Sequence, residues 1–321
     1  MKKIAVVCGG YSGESAVSMR SAAMIMNNID RTRYEPIQIV IEKERWYAMV
    51  DGQEIDVNKA DFSLQLGGTH WKCDGVFMII HGTPGENGIM QGYFEMLGIP
   101  TTTGDTLNMA LTFNKKMTTR VLSTMQFKTA RSISIQQHDA WTANRIIEEV
   151  GLPCFIKPNA GGSSIGTSKV IHLEDIEPAV IRAFQEDRMV MVEEFIQGVE
   201  VTCGVIQWQG KITALPITEI VSKTQFFDYE AKYQGLSEEI TPARISEELT
   251  ATIQSLAASI YTQLNCRGMI RVDFIIQNDI PHVIEVNTTP GFSEASIIPQ
   301  QAAAKGISKS ELIEAVIESC F

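Results

Sequence analysis

Residues 271–287, RVDFIIQNDIPHVIEVN, are the most informative stretch of the chain. Polar and apolar residues alternate on both sides of a short connection, which is typical of strands with one buried face. The connection is short enough to predict an antiparallel hairpin. With a turn centred near Asp279, two pairs face each other on one side of the sheet: Asp273 with Glu285, and Arg271 with Asn287.

Two carboxylates in direct opposition repel each other, so the facing pair Asp273 and Glu285 needs an explanation. A divalent cation would remove the repulsion, and the oxygens of Asp, Glu and Asn are hard donors of the kind that Mg²⁺ prefers. Mg²⁺ takes few protein ligands and leaves positions for substrate phosphates. A solvated strand face in which Arg271 pairs with an acid explains the pattern equally well. The hairpin alone leaves both interpretations open.

A glycine-rich loop at residues 157–166, KPNAGGSSIG, follows an apolar strand-like segment. Glycines let backbone N–H groups approach phosphate oxygens, and Ser163 and Ser164 add hydroxyl donors. The loop is not a Walker A motif, because Gly166 is followed by Thr-Ser and not by Lys-Ser or Lys-Thr. A turn that merely connects two strands explains the loop better when the loop is taken alone.

Two further polar segments follow apolar strands nearer the N-terminus. Residues 8–14, CGGYSGE, lack the glycine spacing of a dinucleotide-binding loop, and Glu14 stands where a nucleophile elbow needs glycine. Glu14 could hold a substrate ammonium group, or it could be only an acid near the start of a helix. Residues 81–88, HGTPGENG, begin at the strand edge where open α/β sheets bind ligands. A lone histidine such as His81 is more often structural than catalytic.

The order of strands and helices predicts three units of α/β and α+β structure. Residues 1–99 alternate strands with helices, which predicts a parallel sheet with helices on both faces. Residues 100–192 carry the glycine loop, and residues 193–321 carry the hairpin and a polar aromatic loop at 222–240. The second and third units resemble α+β layers. No repeat or low-complexity tract interrupts the chain.

Composition excludes several classes of function. A net charge of −11 over 321 residues argues against a non-specific nucleic-acid binder. The apolar stretches are too short to cross a membrane, and the N-terminal apolar run is too short for a signal peptide, so we expect no membrane partner and a cytoplasmic location. The six cysteines form no CxxC pair, which argues against a zinc or thioredoxin-like site.

Taken together, these segments resemble the D-alanine–D-alanine ligases of the ATP-grasp superfamily. The matching stretches are GGYSGESAVS at 9–18, HGTPGENGIMQG at 81–92, KPNAGGSSIG at 157–166, DYEAKY at 228–233, RVD at 271–273 and EVNTTPG at 285–291. They match in order and spacing over essentially the whole chain. Many ATP-grasp enzymes share the glycine loop, whereas DYEAKY and the paired GGxSxE and HGxxGE signatures are much more specific. The resemblance implies an ATP-grasp fold with an N-terminal doubly wound parallel-sheet domain.

The resemblance also implies a role for individual residues. The residues expected to contact ATP are Lys115, Lys157, Lys232, Ser163, Ser164, Glu193, Glu194, Ile196, Glu200 and Phe274. The expected ligands of two Mg²⁺ ions, which Mn²⁺ could replace, are Asp273, Glu285 and Asn287. The expected catalytic and substrate-binding residues are Glu14, Ser163, Tyr233, Arg271, Gly291 and Ser296. In this scheme Glu14 binds the first ammonium group, Arg271 and the Gly291 backbone stabilise the oxyanion, and Ser296 binds the second carboxylate.

The implied activity is ATP-dependent joining of two D-alanine molecules for peptidoglycan precursors, by a homodimer. One carboxylate attacks the γ-phosphate of ATP, and the amine of the second D-alanine then attacks the acyl phosphate. Phosphoryl transfer needs charge neutralisation and alignment, hence the lysines and the metal. Water would hydrolyse the acyl phosphate, so we interpret residues 222–240 as a lid. Within the lid, Tyr233 favours D-alanine over D-lactate as the acceptor.

Two other functions are alternatives to this interpretation, and the sequence differs from the family pattern at three places. A nicotinamide dehydrogenase would also begin with a βαβ unit, and a catalytically dead nucleotide-binding regulator would keep the fold. The family usually has Asp before the lysine at 115 and often has Lys in the adenine hinge, where this chain has Asn114 and Glu194. After Pro100, residues 101–105 read TTTGD in place of the usual Tyr-Thr-Gly-Ser.

Overall fold

The computed structural model describes residues 1–222 and 237–321. The strands are β1 (Lys2–Gly9), β2 (Tyr34–Ile41), β3 (Trp46–Val50), β4 (Gln53–Asp56), β5 (Leu64–Leu66), β6 (Thr69–Trp71), β7 (Gly75–Met78), β8 (Ser132–Gln136), β9 (Cys154–Pro158), β10 (Ser168–Val170), β11 (Met189–Glu194), β12 (Val199–Trp208), β13 (Lys211–Ala214), β14 (Thr218–Ser222), β15 (Ser237–Ile240), β16 (Met269–Gln277) and β17 (Ile280–Asn287). The helices are α1 (Ser15–Asn28), α2 (Ile89–Leu97), α3 (Thr106–Phe113), α4 (Lys115–Thr124), α5 (Ala143–Val150), α6 (Ile176–Phe184), α7 (Glu247–Gln263), α8 (Ile297–Ala304) and α9 (Lys309–Glu318), with a 3-10 turn at Leu173–Asp175. None of the helices within these ranges is long and apolar enough to span a bilayer.

The first sheet has the strand order β4-β3-β2-β1-β7. Strand β1 pairs in parallel with both β2 and β7, as the alternation of strands and helices predicted. Strands β3 and β4 are antiparallel and extend one side of the sheet, which differs from the all-parallel expectation. The cause is the four-residue connection between Ile41 and Trp46, which is long enough for an antiparallel turn but far too short for a parallel crossover.

Strand β1 is buried on both faces, which explains its uninterrupted apolar sequence. On one face Val6 packs in a core that includes residues of α1, α9 and Phe292, and on the other face Val7 packs in a core with α2. The first of these cores therefore joins the N-terminal sheet to the C-terminal end of the chain. This contact fixes how the two parts are placed around the site between them.

The second and third sheets are antiparallel. The second has the order β10-β9-β11-β8, and its core includes residues of α5 and α6. The third has the order β15-β14-β12-β16-β17, with β13 also paired to β12, and its core includes residues of α7. Strand β9 ends at Pro158, so the glycine loop leaves directly from the end of a buried strand. The predicted unit boundaries after residues 99 and 192 stay predictions.

The hairpin of β16 and β17 has the predicted facing pairs, for a reason that the sequence did not reveal. Asn278 and Asp279 have φ values of 50° and 60°, as in a two-residue type I′ turn, and Gln277 pairs with Ile280. That turn alone would place Asp273 opposite Ile284. A β-bulge between Asp273 and Phe274 makes Ile284 an extra residue and brings Asp273 opposite Glu285 and Arg271 opposite Asn287.

Candidate active site

Two cavities lie side by side at the centre of the molecule. The first is lined by β9, β11, the hairpin and the glycine loop, and the second by the N-terminal loops, the hairpin and the segment before α8. They share a wall, and the residues that line both are Lys115, Gly161, Gly162, Ser163 and Glu285. The shared wall contains both a glycine-loop serine and a hairpin carboxylate, so the two motifs meet there.

A buried ion pair is part of the first cavity. Lys157, at the end of β9, is 9% exposed, and its ammonium group contacts the carboxylate of Glu193 on β11, which is 7% exposed. Lys157 lies opposite Met191 in the sheet, so Glu193, two residues on, projects from the same face. Each buried charge therefore has an opposite charge beside it.

Lys115 connects the glycine loop to the hairpin. Its ammonium nitrogen donates to the carbonyl oxygen of Gly161 at 2.6 Å and lies 3.4 Å from a carboxylate oxygen of Glu285. The lysine begins α4, and the preceding Asn114 caps that helix, because its side-chain oxygen accepts from the Met117 amide at 3.0 Å. Asparagine caps helices as well as aspartate does, so this departure from the family pattern preserves the cap of the helix that begins at Lys115.

Glu194 lines the first cavity, and its carboxylate is paired with Arg131. Its carboxylate accepts from the Arg131 backbone amide at 2.8 Å and from the Arg131 guanidinium at 2.7 Å. Burial raises the pKa of Glu194, but these hydrogen bonds outweigh burial and keep the pKa below its ordinary value. Ile196, Glu200 and Phe274, which the resemblance assigns to ATP, also line this cavity.

Two serines of the glycine loop hold an uncommon backbone conformation. Ser163 and Ser164 have φ values of 52° and 58°, a left-handed region that non-glycine residues seldom adopt. The Ser163 hydroxyl donates to the carboxylate of Glu14, which precedes α1. A Cβ atom on Gly162 would lie 2.9 Å from an oxygen of Glu14, so a side chain there would displace the Glu14 carboxylate. Ser163 lines both cavities and Glu14 lines the second, so the contact between them lies at the shared wall.

Asp273, on the polar face of the hairpin, accepts hydrogen bonds from Arg271, Asn287 and Thr202. Arg271 donates to both of its oxygens, at 2.8 and 2.9 Å, and the Asn287 amide donates at 2.9 Å. The hydroxyl of Thr202 on β12 donates at 2.5 Å. The ion pair that the sequence offered as an alternative to a metal site is therefore present. Thr202 itself carries no chemistry-bearing motif, so the sequence did not single it out.

The same face also suits a magnesium ion. Two carboxylates and an amide, on Asp273, Glu285 and Asn287, are the hard oxygen donors that the ion prefers, and rotating the Asn287 amide presents its oxygen. Within residues 1–222 and 237–321, no group of three or more His, Cys, Asp or Glu side chains could hold a metal ion by itself. A site here would need ligands beyond the two acids, as a magnesium site that shares substrate phosphates does.

A buried histidine connects the N-terminal unit to the segment after β17. His81 is 5% exposed, its Nδ1–H donates to the Thr289 carbonyl at 2.8 Å, and its Nε2 accepts from the Ser21 hydroxyl at 3.3 Å. The Phe292 amide donates to the same hydroxyl at 3.2 Å. Burial lowers the pKa of His81, which keeps the ring neutral. These contacts support the structural interpretation of His81 over a catalytic one.

Glu86 is an acid of the second cavity that the sequence did not mark as a site residue. Burial, helped by the nearby charge of Glu14, raises the pKa of Glu86 to about 8. Its carboxylate accepts from the Gly82 amide at 2.6 Å. The acid of the HGxxGE signature was the available signal, but the sequence gives no indication of its burial.

The remaining predicted residues of the second cavity lie where the chain turns into α8. The hydroxyl of Ser296, the residue before α8, accepts from the Ser293 amide at 2.9 Å. A Cβ atom on Gly291 would lie 2.9 Å from that hydroxyl, so Gly291 and Ser296 are close neighbours. Both line the second cavity together with Arg271 and Glu14. Lys232 and Tyr233 lie outside the described residues.

Comparison with known proteins supports one family. A family model described as "D-ala D-ala ligase N-terminus" matches residues 3–104, and one described as "D-ala D-ala ligase C-terminus" matches residues 117–318. The D-alanine–D-alanine ligase of Porphyromonas gingivalis W83 is 47% identical over 99% of this chain and 98% of its own length. That of Flavobacterium johnsoniae is 45% identical over 99% of each chain.

Solved structures agree with these sequence matches. The VanG D-Ala:D-Ser ligase from Enterococcus faecalis is 33% identical with a TM-score of 0.89, over 100% of this chain and 99% of that one. The D-alanine–D-alanine ligase from Bacillus anthracis complexed with ATP is 27% identical with a TM-score of 0.81, over 100% of this chain and 97% of that one. The dehydrogenase alternative is excluded and the expected ATP-grasp fold is confirmed. The chain belongs to the D-alanine–D-alanine ligase family.

Proposed function

We propose that this chain joins two D-alanine molecules into a dipeptide while converting ATP to ADP and phosphate. The wall shared by the two cavities is the observation that carries the proposal. On its first side, Lys115 connects the glycine loop to the hairpin acid Glu285, and on its second side Ser163 contacts Glu14. A phosphoryl group bound in the first cavity and a carboxylate bound in the second would meet at this wall.

ATP is assigned to the first cavity. Its apolar lining, including Ile196 and Phe274, suits an adenine ring, and Glu200 suits a ribose hydroxyl. Lys115 and Lys157 face the glycine loop, where backbone N–H groups suit phosphate oxygens. Lys232 is assigned to the phosphates by resemblance alone.

Magnesium is assigned to the polar face of the hairpin, with Mn²⁺ as a substitute. Asp273, Glu285 and Asn287 would hold two ions together with phosphate oxygens. When bound, the ions supply positive charge that neutralises the transferring phosphoryl group. Arg271 and Lys115, which pair with these acids, offer further positive charge at the same place.

The two D-alanine molecules are assigned to the second cavity. Glu14 binds the ammonium group of the first, and Ser163 keeps the Glu14 carboxylate in place. Arg271 and the Gly291 backbone N–H stabilise the oxyanion of the tetrahedral intermediate, and Ser296 binds the carboxylate of the second D-alanine. Tyr233 is assigned, by resemblance, to the preference for an amine acceptor.

Phosphate release from the purified chain tests the proposal. We expect release to require ATP, Mg²⁺ and D-alanine together, with one D-alanyl-D-alanine formed per phosphate. L-Alanine should give neither product, and D-serine and D-lactate offered with D-alanine measure acceptor preference. A chain that binds ATP but forms no dipeptide would behave as the nucleotide-binding regulator and would overturn the proposal.

We also assign a homodimer and a cytoplasmic location, and an exposed apolar face supports the dimer. Ile89 and Met96, seven residues apart on α2, are 60% and 87% exposed, and Leu107 on α3 is 75% exposed. The two helices are neighbours, because Glu95 accepts from the Thr106 amide at 2.8 Å. Apolar side chains grouped in this way mark interaction sites. Sedimentation should give a dimer for the parent and a monomer for Met96→Lys, while Ile181→Lys, which changes an exposed apolar residue of α6, should stay dimeric.

A further inference from the structure

The two amino-acid substrates carry two ammonium groups, and the second cavity must bind both of them. Each ammonium group needs a partner in a partly buried site, because an unpaired charge is costly there. The second ammonium group must also lose a proton before its nitrogen can attack a carbonyl carbon. Glu14 is assigned to the first D-alanine, so a second acid is required. This inference rests on the proposed function.

Glu239 on β15 lies where that acid is needed. It is partly buried and lines the second cavity with Arg271, Gly291 and Ser296. A single nitrogen of Gln300 donates to the Glu239 carboxylate at 3.1 Å and to the Ala295 carbonyl at 3.0 Å. Glu239 is thereby connected to the residue directly before Ser296, which is assigned to the second carboxylate.

The other acids of the second cavity are engaged elsewhere. Glu14 contacts Ser163 on the shared wall, Glu86 accepts from the Gly82 amide, and Glu285 lies beside Lys115. Of the four glutamates that line the second cavity within residues 1–222 and 237–321, Glu239 is the one with a hydrogen bond to the α8 segment. An amino acid whose carboxylate is bound by that segment holds its ammonium group nearby, since one carbon atom separates the two groups.

We propose that Glu239 binds the ammonium group of the second D-alanine and accepts the proton that this group loses before attack. The nitrogen lone pair then forms the C–N bond with the acyl phosphate carbon, and the C–O bond to phosphate breaks. The departing phosphate takes both electrons of that bond and the second proton that the nitrogen gives up. Glu239 returns its proton to solvent when the product leaves.

The surroundings of Glu239 favour this role. Burial raises the pKa of Glu239, and the opposing effects of Gln300 and Arg271 do not cancel it, so the pKa lies above its ordinary value. A carboxylate with a raised pKa is a better proton acceptor at neutral pH. Among the described residues, the charged or titratable groups that line the cavity with it are Glu14, Arg20, His81, Glu86, Lys115, Arg271 and Glu285. Asp273 pairs with Arg271.

A matched pair of variants tests the proposal, Glu239→Gln and Glu238→Gln. Glu238 is the exposed neighbour on β15 and projects from the opposite face of the strand. At neutral pH we expect Glu239→Gln to lower kcat/KM for the second D-alanine by roughly 100-fold or more, the contribution of a general base. The loss should shrink as pH rises, because D-alanine then arrives with a neutral amine. Glu238→Gln should match the parent at every pH.

Hydroxylamine separates the two steps of the reaction. It is a neutral nucleophile that traps the acyl phosphate without giving up an ammonium proton, so Glu239→Gln should form the hydroxamate at the parent rate. Equal acceptor kinetics for the two variants, a pH-independent loss, or loss of hydroxamate together with dipeptide would overturn the proposal. A parent chain that releases no phosphate would overturn the proposed function instead.

Discussion

The two cavities differ in how the chain holds their charged groups. In the first, Lys157 and Glu193 stand on adjacent strands of one sheet, so a single set of backbone hydrogen bonds places both. In the second, the contacts join distant parts of the sequence: His81 to Thr289 across 208 positions, and Ser21 to Phe292 across 271. The ion pair of the nucleotide side is therefore placed within one sheet, whereas the contacts on the substrate side depend on how the N-terminal unit packs against the end of the chain.

Because of this difference, we expect substitutions in the two cavities to have different kinetic effects. Damage to the first cavity should impair use of ATP whichever acceptor is offered. Damage to the second should change amino-acid kinetics and leave nucleotide binding intact. Only the shared wall should affect both.

The largest effect is expected at the shared wall. Glu285→Ala removes a proposed metal ligand and the partner of Lys115, and we expect kcat to fall on the order of 1000-fold or more. Both ATP affinity and the KM for D-alanine should worsen. Glu294→Ala, which removes an exposed glutamate paired with Lys309, is the matched control. Near-parent turnover of Glu285→Ala at saturating Mg²⁺ would contradict the assignment of the wall.

A second prediction concerns Lys157 and Glu193 in the first cavity. Lys157→Met removes a positive charge facing the phosphates and should lower kcat roughly 100-fold. It also leaves Glu193 buried and unpaired, which should cost about 3–5 kcal/mol of unfolding free energy. Adding Glu193→Gln should recover most of the stability and none of the turnover, measured by denaturant unfolding and phosphate release. Recovery of both would mean that Lys157 is structural.

Glu86 provides a third prediction, specific to the second cavity. Its pKa of about 8 in the folded chain exceeds its ordinary value of 4.5, so the folded state holds a proton that the unfolded state has lost. Stability should therefore fall as pH rises from about 4.5 to 8, by at most a few kcal/mol, and level off above. Glu86→Gln should remove this slope in unfolding measurements, whereas Glu44→Gln, an exposed control, should retain it. An unchanged slope in Glu86→Gln would show that Glu86 is ordinarily ionised.

Sequence patterns predicted the hairpin and the core of the first sheet better than the contacts between distant segments. The alternation along 271–287 gave the facing pairs, and the order of strands and helices gave the parallel core of the first sheet. The facing pairs were right because two deviations cancel. The turn is centred half a residue before Asp279, which alone would move the partner of each residue by one position. The extra residue Ile284 in the bulge moves the partners back by one position. Two adjacent apolar residues, Val283 and Ile284, interrupt the alternation and are the visible trace of that bulge.

The second cavity could not be assembled from local patterns. Ser21 carries no motif, and Glu239 lies within the predicted lid at 222–240 but received no role of its own, so neither is distinguished until the fold brings it to the cavity. The raised pKa of Glu86 likewise comes from burial and from Glu14, which is far away in the sequence. Periodicity reports which face of a strand or helix is buried, not which distant loop covers it.

The smallest effect is expected from Ser21→Ala, and it tests the comparison most directly. The Ser21 hydroxyl accepts from the Phe292 amide and donates to His81, so its loss leaves both partners buried and short of a hydrogen bond. We expect a loss of about 1–2 kcal/mol in stability and a few-fold increase in the KM for D-alanine, because Phe292 directly follows Gly291. The KM for ATP should not change, since no residue of the first cavity contacts Ser21 through these bonds. Ser63→Ala, which removes another buried hydroxyl from the N-terminal unit, should cost similar stability with no change in either KM. An increase in the KM for ATP with Ser21→Ala would mean that a change in the second cavity alters nucleotide binding in the first, so that the two cavities are coupled.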